Sequence, residues 1–223
     1  MTLWVILFLG CVLMTLVISR QMEWYQVAKG KSIIVVVALV CTGLIGSYIW
    51  YYVENNSFGG RSFYGAVYLS PLVFYIVAKK LKIQYGVCLD FVAPAGCVTL
   101  ALVKIQCLID RCCIGRVLYI DENHMYVRFP SQIVEMIAFF LIAAILLYMS
   151  SKEKYRGKIF PYFLTIYGVI RFVLDFQRET VPMDGLHLSA GSFWSLCSFV
   201  VGTICLLKMR KGNSGYNKHK NVK

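Results

Sequence analysis

The sequence predicts an all-α, polytopic membrane protein of about seven transmembrane helices. Three observations carry this. The chain of 223 residues is 59% hydrophobic, with a mean hydropathy of +0.66, against about 45–50% apolar residues in soluble domains. Apolar runs recur at close to the length a span needs, about 20 residues. Basic residues collect after every second run. No polar stretch is long enough for a separate soluble domain, so residues 1–210 read as one membrane bundle and 211–223 as a basic, flexible cytoplasmic tail.

The runs cover 3–19, 32–53, 63–78, 87–109, 132–150, 159–176 and 188–207. The first lacks the basic leader and the small-residue cleavage site of a signal peptide, so it is expected to be a retained anchor. The third is short and contains Pro71. The fifth follows Pro130, which restricts Phe129 to extended backbone, and Ser131 is expected to cap it. Sixteen of the 23 basic residues follow odd-numbered runs, in groups around Arg20, Lys80, Lys154 and Lys218. By the positive-inside rule these loops are cytoplasmic, which puts the N-terminus outside and the C-terminus inside. The net charge of +12 is therefore explained by topology and anionic lipid, without nucleic acid.

Seven basic residues stand outside that pattern: Arg61, Lys104, Arg111, Arg116, Arg128, Arg171 and Arg178. All fall in outer loops or the outer portions of spans. On a helix, Tyr167, Arg171, Asp175 and Arg178 form one stripe. A charge at the bilayer centre costs about 2.5–3.5 kcal/mol on insertion scales, so such residues face a bundle interior or an aqueous cavity. Lys104 and Glu135 lie at a similar outer depth. One reading is internal pairing of Arg171 with Asp175. The other is an anion site, because cations outnumber Asp110, Glu135, Asp175 and Glu179, and arginine matches phosphate bidentately. In a membrane that anion is a phospholipid headgroup.

The outer loop around "DRCCIGR" and "RFPSQ" is the most irregular; Gly115 there permits a tight turn or close ligand approach. Read together, the segments "GRSFYGAVY", "LDFVAPAGCVTLALVKIQCLIDRCCIGR", "RFPSQIVE", "YRGKIFPYFLTIYGVIRFVLDFQRE" and "HLSAGSFWSL" resemble, in order and spacing, the motifs of the prolipoprotein diacylglyceryl transferase family. The resemblance implies a bacterial cytoplasmic-membrane enzyme with its active site at the outer leaflet. Such an enzyme moves diacylglyceryl from phosphatidylglycerol, or another anionic phospholipid, to the lipobox cysteine thiol of a prolipoprotein. By position it also implies a headgroup site of Tyr167, Arg171, Arg178, Gly115 and Arg116, with Ser131, Gln132 and Glu135 in the second motif. Asp175 stands where the family has a glutamate. Tyr64 stands where it has a histidine proposed as general base, Lys104 where it has an arginine, and Cys107 and Asp110 where it has asparagines. Cys112 takes the place of a glutamate.

Arg171, Tyr167, Tyr64 and Lys104 are thus the candidate catalytic residues. Two rival readings remain: a divergent member that binds phospholipid or precursor as an accessory or regulatory protein, favoured by Tyr64, Cys107 and Cys112, and a small transporter or receptor, which leaves the motif order unexplained. His124 and His187 are further candidates for proton transfer. Most of the nine cysteines read as small apolar fillers; Cys107, Cys112 and Cys113 cluster at the outer end of the fourth run, where a disulfide is one option. No metal-ligand spacing and no nucleotide loop, serine-hydrolase elbow or zinc-protease motif is present. Neither a metal nor a cofactor is expected.

Overall fold

The computed structural model describes residues 2–57, 60–120, 125–180 and 188–220, with backbone alone at 2–4 and 211–220. His124 and His187 lie outside the described residues. Among the described residues seven α-helices follow in order: α1 (Thr2–Trp24), α2 (Ser32–Asn55), α3 (Phe63–Leu81), α4 (Tyr85–Ile109), α5 (Ser131–Ser150), α6 (Ile159–Asp175) and α7 (Ala190–Lys220). Between α4 and α5 the chain forms a small antiparallel hairpin, β1 (Val117–Ile120) with β2 (Tyr126–Arg128), which an all-α reading does not contain. It is short, bulged between Val117 and Tyr119, and β1 is exposed along its length, so no period-2 burial pattern marks it. The helix α7 continues to Lys220, through most of the segment assigned to a flexible tail.

Five of these helices are long and apolar enough to cross a membrane: α1, α2, α4, α5 and α7. The two shorter ones differ for physical reasons. The 17 residues of α6 hold Arg171 and Asp175, and α3 carries Pro71 inside and Lys79 and Lys80 in its last turn. The main pairings are α6 on α7, α4 on α5, α2 on α3 and α1 on α4. Tyr167, Phe74, Phe91, Ile142 and Leu146 fill the centre, while Phe8, Ile33, Leu72, Leu141 and Val173 point outward. Apolar side chains facing outward on so many helices fit a protein solvated by lipid.

The α2–α3 pair is close because of two glycines. A Cβ on Gly65 would overlap the carbonyl of Gly46 and come within 2.6 Å of Trp50 Cβ. Small residues permit such backbone approach in membrane helices. Gly65→Ala is expected to lower stability by about 1–3 kcal/mol, the usual cost of overpacking, read as a drop in melting temperature in detergent.

One end of the bundle is tied together by residues in the last turns of α1, α3 and α5, the loops that follow them and the first turns of α4 and α6. Pro94 has no N–H, so it cannot bond the Asp90 carbonyl one turn earlier. Gln21 Nε2 donates to that carbonyl (3.0 Å) and to Ser150 Oγ (2.9 Å), joining α1, α4 and α5. The Asp90 carboxylate accepts from the backbone N–H groups of Gly157 (2.5 Å) and Ile159 (2.8 Å) and from Tyr25 Oη (2.9 Å). It thereby satisfies orphan donors at the start of α6. Lys31 Nζ donates to the Leu81 carbonyl (2.7 Å) and Arg156 to that of Trp24 (2.5 Å). The basic loops therefore share this end, and the charged groups outside the topological pattern gather at the opposite one.

Candidate active site

At that opposite end, cations from three segments converge on one carboxylate. Glu135, one turn into α5, is 1% exposed. Lys104 Nζ of α4 lies 2.5 Å from Glu135 Oε2, while Arg171 Nη1 of α6 and Arg178 Nε lie 3.4 and 3.5 Å from Oε1. Arg171 Nη2 is 3.1 Å from Asp175 Oδ1, one turn along α6. The other oxygen of Asp175 accepts from Ser192 Oγ (2.8 Å) and from Ser189 Oγ at the start of α7.

The spacings rank these pairs. Charge-assisted N–H···O bonds run about 2.7–2.9 Å. Lys104 is within that reach of Glu135, while the two arginines stand off by more than half an ångström. Lys104 is the cation nearest Glu135, Arg171 donates to Glu135 Oε1 and pairs with Asp175, and Glu135 Oε2 and Asp175 Oδ1 are each buried without a hydrogen bond. Arg178 Nε is likewise buried without a hydrogen-bond partner. Three cations against two carboxylates leave the cluster at a formal +1. Beside it a polar cleft of about 180 Å³ is lined by Asp175, Phe176, Arg178, Thr180, Leu188, Ser189 and Ser192.

Below the cluster lie the tyrosines. The Tyr167 ring packs among Phe63, Phe139 and Phe163, with centroids 5.3–6.1 Å away. Tyr64 is 6.3 Å from it, centroid to centroid. The Tyr64 hydroxyl bonds the Gly191 carbonyl (2.7 Å) and Ser195 Oγ (2.7 Å). It joins α3 to α7 and is occupied as a donor.

Above the cluster the loop after α4 is stitched down. Ser131 is the first residue of α5 and makes no cap bond; its Oγ donates instead to the Cys113 carbonyl (2.7 Å). The expected capping role is therefore not the one the hydroxyl plays, because a loop carbonyl lies within its reach. Gln132 Nε2 donates to the Cys112 carbonyl (2.7 Å). Gly115 forms an antiparallel bridge with Arg178, and a Cβ there would overlap the Phe129 carbonyl. The Cys107 thiol, with Lys104 and Arg178, holds the Cys113 thiol below its ordinary range against the effect of burial. All nine cysteines are free.

The site residues read from the sequence thus divide. Lys104, Glu135, Arg171, Asp175 and Arg178 form the buried cluster, Tyr64 and Tyr167 its floor, and Cys107, Gly115, Ser131 and Gln132 its roof. Arg116 and Asp110 are exposed. Arg116 leads into the outward-facing β1, with its backbone held by Gln177 and Phe129, and Asp110 accepts from Gln106 Nε2 (2.8 Å). Arg128 pairs with Glu179. Sequence reasoning passed over Ser189, Ser192 and Ser195, although their spacing of three in "HLSAGSFWSL" sets them on one face of α7.

The described residues form a helical bundle of membrane-spanning composition with a net-positive buried cluster beside a cleft. The family model for prolipoprotein diacylglyceryl transferase matches residues 3–208, and the chain belongs to that family. Its relatives include proteins named phosphatidylglycerol–prolipoprotein diacylglyceryl transferase from Clostridium tetani (28% identical, covering 64% of this chain and 61% of the relative) and Ehrlichia ruminantium (29%, covering 69% and 64%). Another, from Geobacter sulfurreducens, is 31% identical over 69% of this chain and 63% of the relative. The matched part of the chain thus spans less than two thirds of these relatives' length.

Proposed function

We propose that the protein is a phosphatidylglycerol–prolipoprotein diacylglyceryl transferase. All seven helices cross the bilayer, the N-terminus is outside, and the cationic cluster lies in the outer leaflet. The observation that carries this reading is the convergence of Lys104, Arg171 and Arg178 on the single carboxylate of Glu135. The long arginine spacings leave donors that a phosphodiester can take up.

The reaction forms an S–C bond from the lipobox sulfur to the glycerol carbon carrying the phosphate. The C–O bond breaks, and glycerol phosphate leaves with its electron pair. Charge on the phosphate grows from −1 on the diester toward about −2 on the monoester. Arg178 and Arg171 stand where that charge develops, and fixed donors in a low-dielectric site are the most effective stabilisers of such a change. The incoming thiol has an ordinary pKa of about 8.5; it gives its proton to bulk water before attack, and the positive field of the cluster favours the resulting thiolate. Tyr64, already donating, positions α7 rather than accepting the proton.

Purified protein incubated with phosphatidylglycerol and a lipobox peptide is expected to add one diacylglyceryl unit to the peptide by mass. Tyr64→Phe is expected to keep that activity within about tenfold, an effect of about 1.4 kcal/mol. A second reading is favoured by the occupied Tyr64 hydroxyl: a family member that binds phospholipid without transferring it. Lipid retention with no mass gain, unchanged by Tyr64→His, would select that reading.

A further inference from the structure

We propose that Cys107, Cys112 and Cys113 form a three-thiolate site for a thiophilic d10 ion of the Cu(I) class. The site caps the end of the bundle that carries the cationic cluster. The three Sγ atoms lie within 4.8 Å of one another, and those of Cys107 and Cys113 are 3.9 Å apart. Metal–thiolate bonds of about 2.3 Å in a trigonal plane put the sulfurs about 4.0 Å apart. Small side-chain rotations close the remaining difference.

The backbone is shaped for this convergence. Cys107 sits in the last turns of α4, and the chain then folds back on it, the Cys112 N–H donating to the Cys107 carbonyl (3.0 Å). The turn places Arg111 (φ 52°) and Cys113 (φ 57°) in the left-handed region. Arg111 takes it just past the end of α4, as Asn56 and Lys82 do after α2 and α3, so Cys113 is the residue that the turn itself holds in a conformation rare for a side chain with a Cβ. Ser131 and Gln132 fix the same turn through the carbonyls of Cys113 and Cys112, the kind of outer support metal ligands need.

The ligand set selects the ion. No histidine nitrogen or carboxylate oxygen joins the three sulfurs among the described residues, so a four-coordinate zinc site lacks its fourth protein ligand. Soft thiolates without a fourth donor suit Cu(I). Three thiolates around a monovalent ion carry a net −2. Lys104, one turn before Cys107 on α4, and Arg178, bridged through Gly115, offset that charge. The exposed Cys112 is the point of entry. Binding forms three Cu–S bonds, releases the remaining thiol protons and changes no oxidation state. This site stands independently of the transferase reading.

The test is a titration of the anaerobically purified full chain with Cu(I), against a chromophoric Cu(I) chelator. One equivalent is expected to be retained. Cys107→Ser, Cys112→Ser and Cys113→Ser should each weaken retention by about tenfold or more, while Cys97→Ser, buried elsewhere in α4, should leave it unchanged. X-ray absorption of the unaltered protein is expected to show a shell of three sulfurs at about 2.3 Å. Bound Cu(I) should also protect Cys112 from maleimide, which needs no variant to fold. Failure to compete with the chelator, equal retention by Cys113→Ser, full labelling of Cys112 in the presence of Cu(I), or a Cys107–Cys113 disulfide in the anaerobic protein would each overturn the proposal.

Discussion

Arg171→Ala is expected to abolish diacylglyceryl transfer, lowering the rate by at least about 10²–10³-fold, as for removal of one donor from a preorganised oxyanion site, or about 2.7–4 kcal/mol. The loss should exceed that of an ordinary donor, because Arg171 acts twice. In the proposed reaction it faces the phosphate, and in the structure it pairs with Asp175 and Glu135. Without it the five-member cluster falls from a formal +1 to 0, and a diester monoanion is no longer attracted. Arg171→Lys keeps the charge but not the planar fork that spans two carboxylates, so it should fall between Ala and the parent. Single-turnover transfer to a lipobox peptide measures the series. A melting temperature for each variant separates lost chemistry from lost fold, since breaking a buried pair costs about 3–5 kcal/mol.

Asp90→Ala is expected to lower stability by about 3–5 kcal/mol. The carboxylate accepts from Gly157 N, Ile159 N and Tyr25 Oη. Each buried donor left without an acceptor costs about 1–3 kcal/mol, and part of that is recovered where water can enter. Asp90→Asn keeps one carbonyl oxygen but turns an NH₂ toward the remaining donors, so it should recover less than half of the loss. Thermal unfolding in detergent, followed by helical circular dichroism, reads both variants. Little change for Asp90→Ala would mean that the start of α6 is held by packing alone.

These two sites show what the sequence makes legible and what it hides. Of the stripe Tyr167, Arg171, Asp175 and Arg178 expected from helical periodicity, the first three lie on α6, whereas the helix ends at Asp175 and Arg178 follows it in an extended bridge with Gly115; the high energy of charge in hydrocarbon marks them for attention. Depth along the spans also places Lys104 and Glu135 near it. That Glu135 is shared by three cations does not follow, because the sharing depends on how α4, α5 and α6 cross. Asp90 was visible only as part of a family segment: its partners are mostly backbone N–H groups, which have no sequence signature. The same holds for Gln21, whose role appears once Pro94 is seen to free a carbonyl. Arg116 belongs to a matching motif, yet the hairpin that follows turns its side chain outward. The serines of α7 were readable as a spacing but had no assigned partner until Asp175 and Tyr64 came within reach.

In the proposed function Arg171 and its cationic neighbours grip a lipid phosphate. Native mass spectrometry of the protein released from micelles of mixed phosphatidylglycerol and phosphatidylcholine with identical tails tests it most directly. Preferential retention of phosphatidylglycerol, lost in the Arg171→Ala, Arg178→Ala double variant that still melts cooperatively, is the predicted result. Equal retention of the two lipids by the unaltered protein, or a preference that survives the double substitution, would contradict it.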